Sequence, residues 1–377
     1  MFKERLEKSF EELKSIFNKV GEIVLYGNSV IAPVIKVAVE ELGIELPVRL
    51  YDRLKPIDDV PENDLKKLFI LCSAKKTVRD DMACDIFKNF PDPETSDFYA
   101  IYFVWLTKTC KRPCDPEKLA EACLLAMEEK TVPNIDSINT VYCNLRCRDC
   151  SNSVPQRKNK FHVNVKKHID SLTRITDIMP ITEVNFQGGE FFVAPNYMDF
   201  LREHVKNSRI VFFSVSTNGT ILPPDSFFLF LKENGIMIRI SDYGPLSVAR
   251  EKIIAKAKLY SVPCILYPRA SLWHRLGPIK KHGRSEIELK KICGECFFGT
   301  RDLMLIEDKI FCCMRGLAME AEGIDTPALQ SNVLMLDKNI SYDELQKIVK
   351  GSQLWKLCDY CDHPMEVVEP AVQINGE

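Results

Sequence analysis

Cys143, Cys147 and Cys150 stand in the run CNLRCRDC, with the spacing C-x3-C-x2-C, directly after the apolar stretch from Ile135 to Tyr142. Three thiolates on one short loop can hold three irons of a cubane cluster and leave the fourth open to a small molecule. A structural zinc site would want a fourth ligand close by, and this loop offers none. Further along, Val184-Asn185-Phe186-Gln187-Gly188-Gly189-Glu190 reads as a strand ending in a Gly-Gly turn. Two glycines let the main chain approach a ligand closely and expose its polar groups to it.

Two more apolar runs end the same way. Ile210 to Val215 finishes in Ser216-Thr217-Asn218-Gly219, and Ile236 to Ile240 in Ser241-Asp242-Tyr243-Gly244. Any one such ending is ordinary turn chemistry, and Asp242 reads equally as a residue capping its turn. Their repetition in order after a cysteine loop is the specific signal, because parallel α/β sheets bind ligands at the carboxyl ends of their strands.

With CNLRCRDC, QGGE, STNG and ISDYG in place between about Ile135 and Pro268, the chain resembles the radical SAM superfamily. Asp149 stands where many members carry an aromatic residue, and Phe191 where proline often follows GGE. The resemblance implies an α/β fold with a partial (β/α)6 barrel. It implies a [4Fe-4S] cluster on Cys143, Cys147 and Cys150, with S-adenosylmethionine (SAM) on the open iron. It also implies that the backbone of Gly188, Gly189 and Glu190 holds the SAM amino group, that Ser216 and Asn218 meet its carboxylate or ribose, and that Ser241 and Asp242 meet the ribose. A flavodoxin- or ferredoxin-type electron donor goes with that chemistry.

The whole chain must position these residues. Its 377 residues, 46% hydrophobic, are enough for two or three domains. A net charge of −2 without a long basic block disfavours nucleic acid as the main partner. No apolar run reaches the ~20 residues needed to cross a bilayer. The first helix, with Phe2, Leu6, Phe10, Leu13 and Phe17 on one face, is not a signal peptide. Fifteen cysteines in clustered C-x2-C spacings therefore point to metal binding in a reducing cytoplasm, not to disulfides.

Residues 1–130 read as a Rossmann-like α/β domain. Its expected strands are Glu22 to Tyr26, Val48 to Leu50, Leu68 to Cys72 and Ala100 to Leu106, with a helix from Val30 to Leu42. Gly27 is followed by Asn28-Ser29, not by a full glycine fingerprint, and Asp52 follows the second strand. A scaffolding or substrate-presenting domain is favoured over dinucleotide binding. Residues 131–280 are the expected barrel, with helices over Val165 to Ile178, Asn196 to Val205, Pro224 to Asn234 and Val248 to Tyr260.

Residues 281–377 change character. Cys293-Gly-Glu-Cys296 precedes a hairpin, Leu303 to Ile306 and Ile310 to Cys313, and an expected helix from Asp343 to Leu357 leads into Cys358-Asp-Tyr-Cys361. This layout resembles the SPASM or twitch extensions of radical SAM enzymes, which implies a second, auxiliary [4Fe-4S] cluster. Cys296, Cys312, Cys358 and Cys361 are the chosen ligands, with Cys293 and Cys313 as spares. Adjacent strand residues point to opposite faces, so Cys312 and Cys313 should not reach one metal together. A zinc ribbon on the two C-x2-C pairs is the rival, and with it a non-enzymatic binding module.

An auxiliary cluster could take a second electron, giving a two-electron oxidation and an oxidoreductase. Catalytic or substrate contacts are sought in the run from Tyr267 to Arg275, where Arg269 and His274 are the candidates and Trp273 reads equally as a core anchor. CNLRCRDCSN, RISDYG and LWHRLG further resemble a bacterial group found among surface-polysaccharide genes. That implies a small-molecule carbohydrate, a sugar or nucleotide-sugar; a peptide or protein substrate is the alternative.

Overall fold

The computed structural model describes residues 1–27, 30–51, 60, 65–90, 93–267, 273–296 and 303–374. Arg269, Asn28, Ser29 and Asp52 lie outside the described residues.

The N-terminal unit runs α1 (Phe2–Phe17), β1 (Glu22–Tyr26), α2 (Ile31–Glu41), β2 (Val48–Tyr51), β3 (Lys67–Leu71), α3 (Lys76–Asn89), β4 (Glu94–Asp97), α4 (Tyr99–Lys108) and α5 (Pro116–Met127). Its parallel sheet has the order β2-β1-β3-β4. The fourth strand is not Ala100 to Leu106. That run is helix α4, buried at every position from Tyr99 to Leu106 and therefore without a polar face. A uniformly apolar segment of this length carries no period to separate helix from strand. The true fourth strand, Glu-Thr-Ser-Asp, lies at the edge of the sheet and is polar.

The central unit continues with β5 (Val132–Ile138), α6 (Val165–Ile178), β6 (Ile181–Gln187), α7 (Tyr197–His204), β7 (Ile210–Thr217), α8 (Asp225–Asn234), β8 (Met237–Ser241), α9 (Arg250–Leu259), β9 (Cys264–Tyr267) and β10 (His274–Arg275). The C-terminal part adds α10 (Glu286–Glu295), β11 (Leu303–Ile306), β12 (Lys309–Phe311), α11 (Met314–Glu322), α12 (Pro327–Gln330), β13 (Val333–Met335), α13 (Tyr342–Val349) and β14 (Glu366–Val367). The expected helix from Asp343 to Leu357 is two pieces, α13 and a 3-10 turn from Leu354 to Tyr360, parted at Gly351, whose φ of 59° only glycine adopts easily.

The central and C-terminal units share one eight-stranded sheet, ordered β13-β12-β11-β5-β6-β7-β8-β9. Strands β5 to β9 are parallel neighbours in chain order, as a βα barrel requires. The sixth parallel strand is β11, which joins at the other edge, beside β5. The C-terminal hairpin is thus part of the barrel sheet.

The N-terminal unit closes the end of this sheet at which the strands begin. Val211, Phe212 and Met237, at the starts of β7 and β8, belong to the same apolar cluster as α1, α2, α4 and α5. The Tyr102 ring lies 4.1 Å from that of Phe212, and its hydroxyl donates to the Val211 carbonyl at 2.8 Å. Arg112 donates to the carbonyls of Val205, Asn207, Ile210 and Val211. The opposite end, where the strands finish, carries the cysteine loop, the GGE turn and the polar endings of β7 and β8. No described helix is long and apolar enough to cross a membrane.

Candidate functional site

The cysteine loop leaves β5 and packs against the ends of β6 and β7. Gly189 N–H donates to the Thr140 carbonyl at 2.8 Å and Glu190 N–H to that of Tyr142 at 2.9 Å, so the GGE turn is hydrogen-bonded against the start of the loop. A Cβ on Gly189 would stand 2.1 Å from the Tyr142 oxygen and 3.0 Å from Cys143 Cβ; one on Gly188 would stand 2.6 Å from the Thr140 oxygen. These glycines are required for close approach to the cysteine loop itself. Asn152, just beyond Cys150, donates to the Gly188 carbonyl at 2.7 Å.

Strand β7 locks onto the loop from the other side. Asn218 Nδ2 donates to Asn144 Oδ1 at 3.1 Å and lies 3.8 Å from Cys143 Sγ, and Asn144 donates to the Thr220 hydroxyl at 2.8 Å. Glu190 is 1% exposed. Its carboxylate accepts from Thr217 Oγ1, Asn218 N–H and Phe192 N–H, and burial pushes its pKa up to about 7. Ser247 joins β7 to β8, donating to the carbonyls of Asn218 at 2.7 Å and Ser241 at 3.1 Å. Asp242 accepts from Gly244 N–H at 2.9 Å and pairs with Arg250, so one of its oxygens caps its own turn.

A third support comes from the far end of the chain. Gln373 Oε1 accepts from Arg146 N–H at 2.7 Å, Arg148 N–H donates to the Val372 carbonyl at 2.8 Å, and Ile374 N–H to that of Arg146 at 2.8 Å. Gln373 Nε2 lies 3.3 Å from Cys147 Sγ. Burial pushes the pKa of Cys143 to about 12 and of Cys147 to about 11, and it raises that of Cys150. N–H donors aimed at Cys143 (from Leu145 at 3.4 Å) and at Cys147 are poorly spent on neutral thiols. They suit thiolates, the form that metal binding enforces. The donor set therefore fits an iron–sulfur cluster.

On the concave face below, a polar chain crosses the strands. Asn185 donates to Asp136 at 2.8 Å and accepts from Ser216 at 2.8 Å and Ser214 at 3.1 Å; Ser214 also donates to Glu183 at 3.0 Å, and Glu183 pairs with Arg239. Ser216 is thus brought beside the loop, but with its hydroxyl in this chain. Sequence reading missed Arg239 and Glu183; their signal is a charged residue at an inward position of an otherwise apolar strand.

His274 stands in the short ribbon of β10 with β14. The residues flanking it reach the turn after β8 and the cysteine loop. The Trp273 ring meets Tyr243 edge-on at 5.6 Å, and Arg275 Nε donates to Asp149 at 3.1 Å while its Nη1 pairs with Glu366 at 2.7 Å. Asp149, the departure from the usual aromatic, is therefore the anchor for Arg275.

The second cysteine group gathers where the C-terminal elements meet. Cys293, Cys296, Cys313, Cys358 and Cys361 line one cavity. Cys312 does not. It is 2% exposed, packed in the main apolar core, while the next residue faces the cavity. Of the adjacent pair it is Cys313, the N-cap of α11, and not the expected Cys312, that faces the cavity. Cys358 donates to Cys293, which holds Cys293 down to about 7 and raises Cys358. Among the described residues no three His, Cys, Asp or Glu side chains converge tightly enough to hold a single metal ion. The five thiols share one cavity and number more than the four ligands that a cubane or a zinc ion takes.

Residues 138–242, from the end of β5 to the turn after β8, match the sequence model of the Radical SAM superfamily. The chain carries a radical SAM domain. That domain contains all three loop cysteines, the GGE turn and the ends of β7 and β8. Among solved structures, the chain is similar to affinity-tagged anSMEcpe with bound AdoMet, at 22% identity and a TM-score of 0.29, over 36% of this chain and 42% of that one. It is similar to BtrN in complex with AdoMet and 2-DOIA, at 16% identity and a TM-score of 0.41, over 64% and 96%. It is also similar to Streptococcus suis SuiB bound to precursor peptide SuiA, at 11% identity and a TM-score of 0.31, over 75% and 82%. The chain thus spans less than half the length of anSMEcpe. No curated protein matches it.

Proposed function

We propose that this protein is a radical SAM enzyme that oxidises a sugar or nucleotide-sugar by two electrons, with three working parts: residues 1–130 as scaffold, 131–280 as catalytic barrel, whose sheet β11 completes, and 281–377 as an auxiliary-cluster unit. The observation that carries the reading is the interlocking of the cysteine loop with the ends of β6 and β7 around Cys143.

Cys143, Cys147 and Cys150 would hold the cluster to which SAM binds. When bound, this cluster supplies the electron that cleaves SAM to a hydrogen-abstracting 5′-deoxyadenosyl radical. Main-chain carbonyls of the GGE turn receive the SAM amino group, while Ser216, Asn218, Ser241 and Asp242 line the positions of its carboxylate and ribose. Glu190 fixes the relative position of the β6 and β7 ends by its carboxylate. The polar chain from Asp136 to Arg239 offers hydroxyl-matching donors and acceptors on the concave face, which favours a carbohydrate. His274 and Arg269 remain the candidates to orient the substrate or take its proton. Cys358, Cys361, Cys313 and one of Cys293 or Cys296 hold the auxiliary cluster.

The test is anaerobic incubation with SAM, a reductant and a panel of sugars, nucleotide-sugars and peptides. Mass spectrometry should find 5′-deoxyadenosine and a carbohydrate product two mass units lighter, for two hydrogens lost, and neither in the Cys143→Ala, Cys147→Ala, Cys150→Ala variant. Turnover of peptides alone would overturn the carbohydrate assignment. Undiminished 5′-deoxyadenosine from the triple variant would overturn the site.

A further inference from the structure

Arg315 is 1% exposed, one of the largest fully buried side chains in the protein. It stands in the first turn of α11, two residues after Cys313, whose sulfur accepts the Arg315 main-chain N–H at 3.4 Å. Its side-chain Nε donates to Cys361 Sγ at 3.1 Å. One terminal nitrogen donates to the carbonyls of Leu276 and Gly277, the latter at 3.0 Å. Its side-chain hydrogen-bond partners among the described residues are therefore a sulfur and two carbonyls; Asp362 lines the same cavity but makes no ion pair with it.

A guanidinium buried without a counter-charge is costly, by several kcal/mol in order of magnitude. Carbonyls satisfy its donors but not its charge. A neutral thiol does neither well, because sulfur in a thiol is a weak acceptor. Four thiolates on a cubane carry more negative charge than the irons and sulfides offset, and such a body is the counter-charge this site calls for. Arg284 makes the contrast. It too reaches the C-x2-C loop, but it donates to the main-chain carbonyls of Cys358 and Cys361, at 3.0 and 2.9 Å, and braces the backbone. Arg315 addresses the sulfur.

Its location adds a second observation. Arg315 lines the cavity of the five cysteines and also a neighbouring one that contains Asp149, Cys150 and Arg275 of the radical SAM loop and its support. It is the charged side chain common to both.

We propose that Arg315 raises the midpoint potential of the auxiliary cluster, making it easier to reduce. The proposal rests on the assignment of that cluster above. The cause is electrostatic. Reduction adds negative charge, and a fixed cation with an N–H directed at a ligand sulfur stabilises the reduced state more than the oxidised one. Arg315 acts through the cluster and is a positioning residue in that sense; no contact with substrate is implied.

The test uses the full chain with Cys143, Cys147 and Cys150 changed to alanine, so that only the second site holds iron. Its iron is counted, and the reduced signal is followed by EPR at controlled potentials. Arg315→Gln removes the charge but keeps a donor; Arg315→Lys keeps the charge. With Arg315→Gln the reduced-to-oxidised ratio at a fixed potential should fall at least tenfold, a one-electron shift of about 59 mV. With Arg315→Lys it should fall by less than about threefold, since the cation remains. Equal potentials for glutamine and arginine, or a fall with lysine as large as with glutamine, would overturn the proposal. If the glutamine variant fails to fold, pulsed EPR on protein carrying 15N-arginine and Arg315 intact keeps the question open to refutation. A nitrogen coupling to the reduced cluster supports the contact, and its absence from a well-formed signal overturns it. Absence of iron with Arg315 unchanged would instead remove the auxiliary cluster, and the proposal with it.

Discussion

The main-chain N–H of Asn218 donates to the carboxylate of Glu190 at 2.8 Å, joining the end of β7 to the turn that follows β6. Burial holds the folded-state pKa of this carboxyl near 7, against about 4.5 when exposed. Between those values the folded chain keeps a proton that the unfolded chain has released. Stability from this group is therefore complete below pH 4.5 and is lost as pH rises through 7, by an amount on the order of 3 kcal/mol. Urea unfolding from about pH 5 to about pH 7.5 should show that decline, and Glu190→Gln should flatten it. Parallel slopes for the two proteins would rule the titration out.

Gly189→Ala should cost the cysteine loop its shape. The added Cβ meets the Tyr142 carbonyl oxygen at 2.1 Å, a main-chain atom with no room to yield. Overpacking of this kind costs about 1–3 kcal/mol or more. Iron content should fall by about four per chain, together with SAM binding. A variant with full iron and impaired SAM binding would show instead that the glycine serves only the ligand.

Cys313 and Cys312 should behave in opposite ways. In the variant without the three loop cysteines, Cys313→Ser should lower the remaining iron at least several-fold, whereas Cys312→Ala should keep the iron and cost about 1–2 kcal/mol of stability from the core cavity. Iron loss from the Cys312 variant alone would reverse the assignment.

Gln373→Ala removes the donor to Cys147 and the acceptor for Arg146. Iron release to a chelator should become at least about threefold faster at the first site, since a lost hydrogen bond is worth about 1 kcal/mol. The second site should be unaffected. Unchanged release kinetics would make the tail contact incidental.

Phe212→Ala should destabilise the protein by about 3–5 kcal/mol. Its ring is the meeting point of Phe98, Tyr99 and Tyr102 with the start of β7. Because this contact lies at the opposite end of the sheet from the cysteine loop, the iron–sulfur absorption of the folded variant should match that of the unaltered protein. An altered spectrum would show that the floor and the site are coupled.

The barrel strands and their polar endings were legible because each obeys local rules: an apolar run, then small residues where the chain turns. What stayed hidden depends on partners far along the chain. Arg315 acquires its meaning only from Cys361, 46 residues later, and nothing in Met-Arg-Gly-Leu announces it. Gln373 is one polar residue in a short tail until it meets Cys147. Alternation separated Cys312 from Cys313 but could not say which faced the cavity, since that depends on where β13 and α11 pack. Helix α4 was hidden for the opposite reason. Buried on all sides between the barrel floor and the N-terminal helices, it has no amphipathic period to read.

The tail contact also sets an order of events. Gln373 lies 227 residues after Arg146, so the ribosome releases the loop long before the segment that caps it. Until then Cys147 and its neighbours sit on a loop lacking one of its walls. The first site thus takes its final form only once that segment has been made, and a nascent chain stalled before residue 372 should hold the three cysteines in an unclosed state, accessible to whatever delivers the iron.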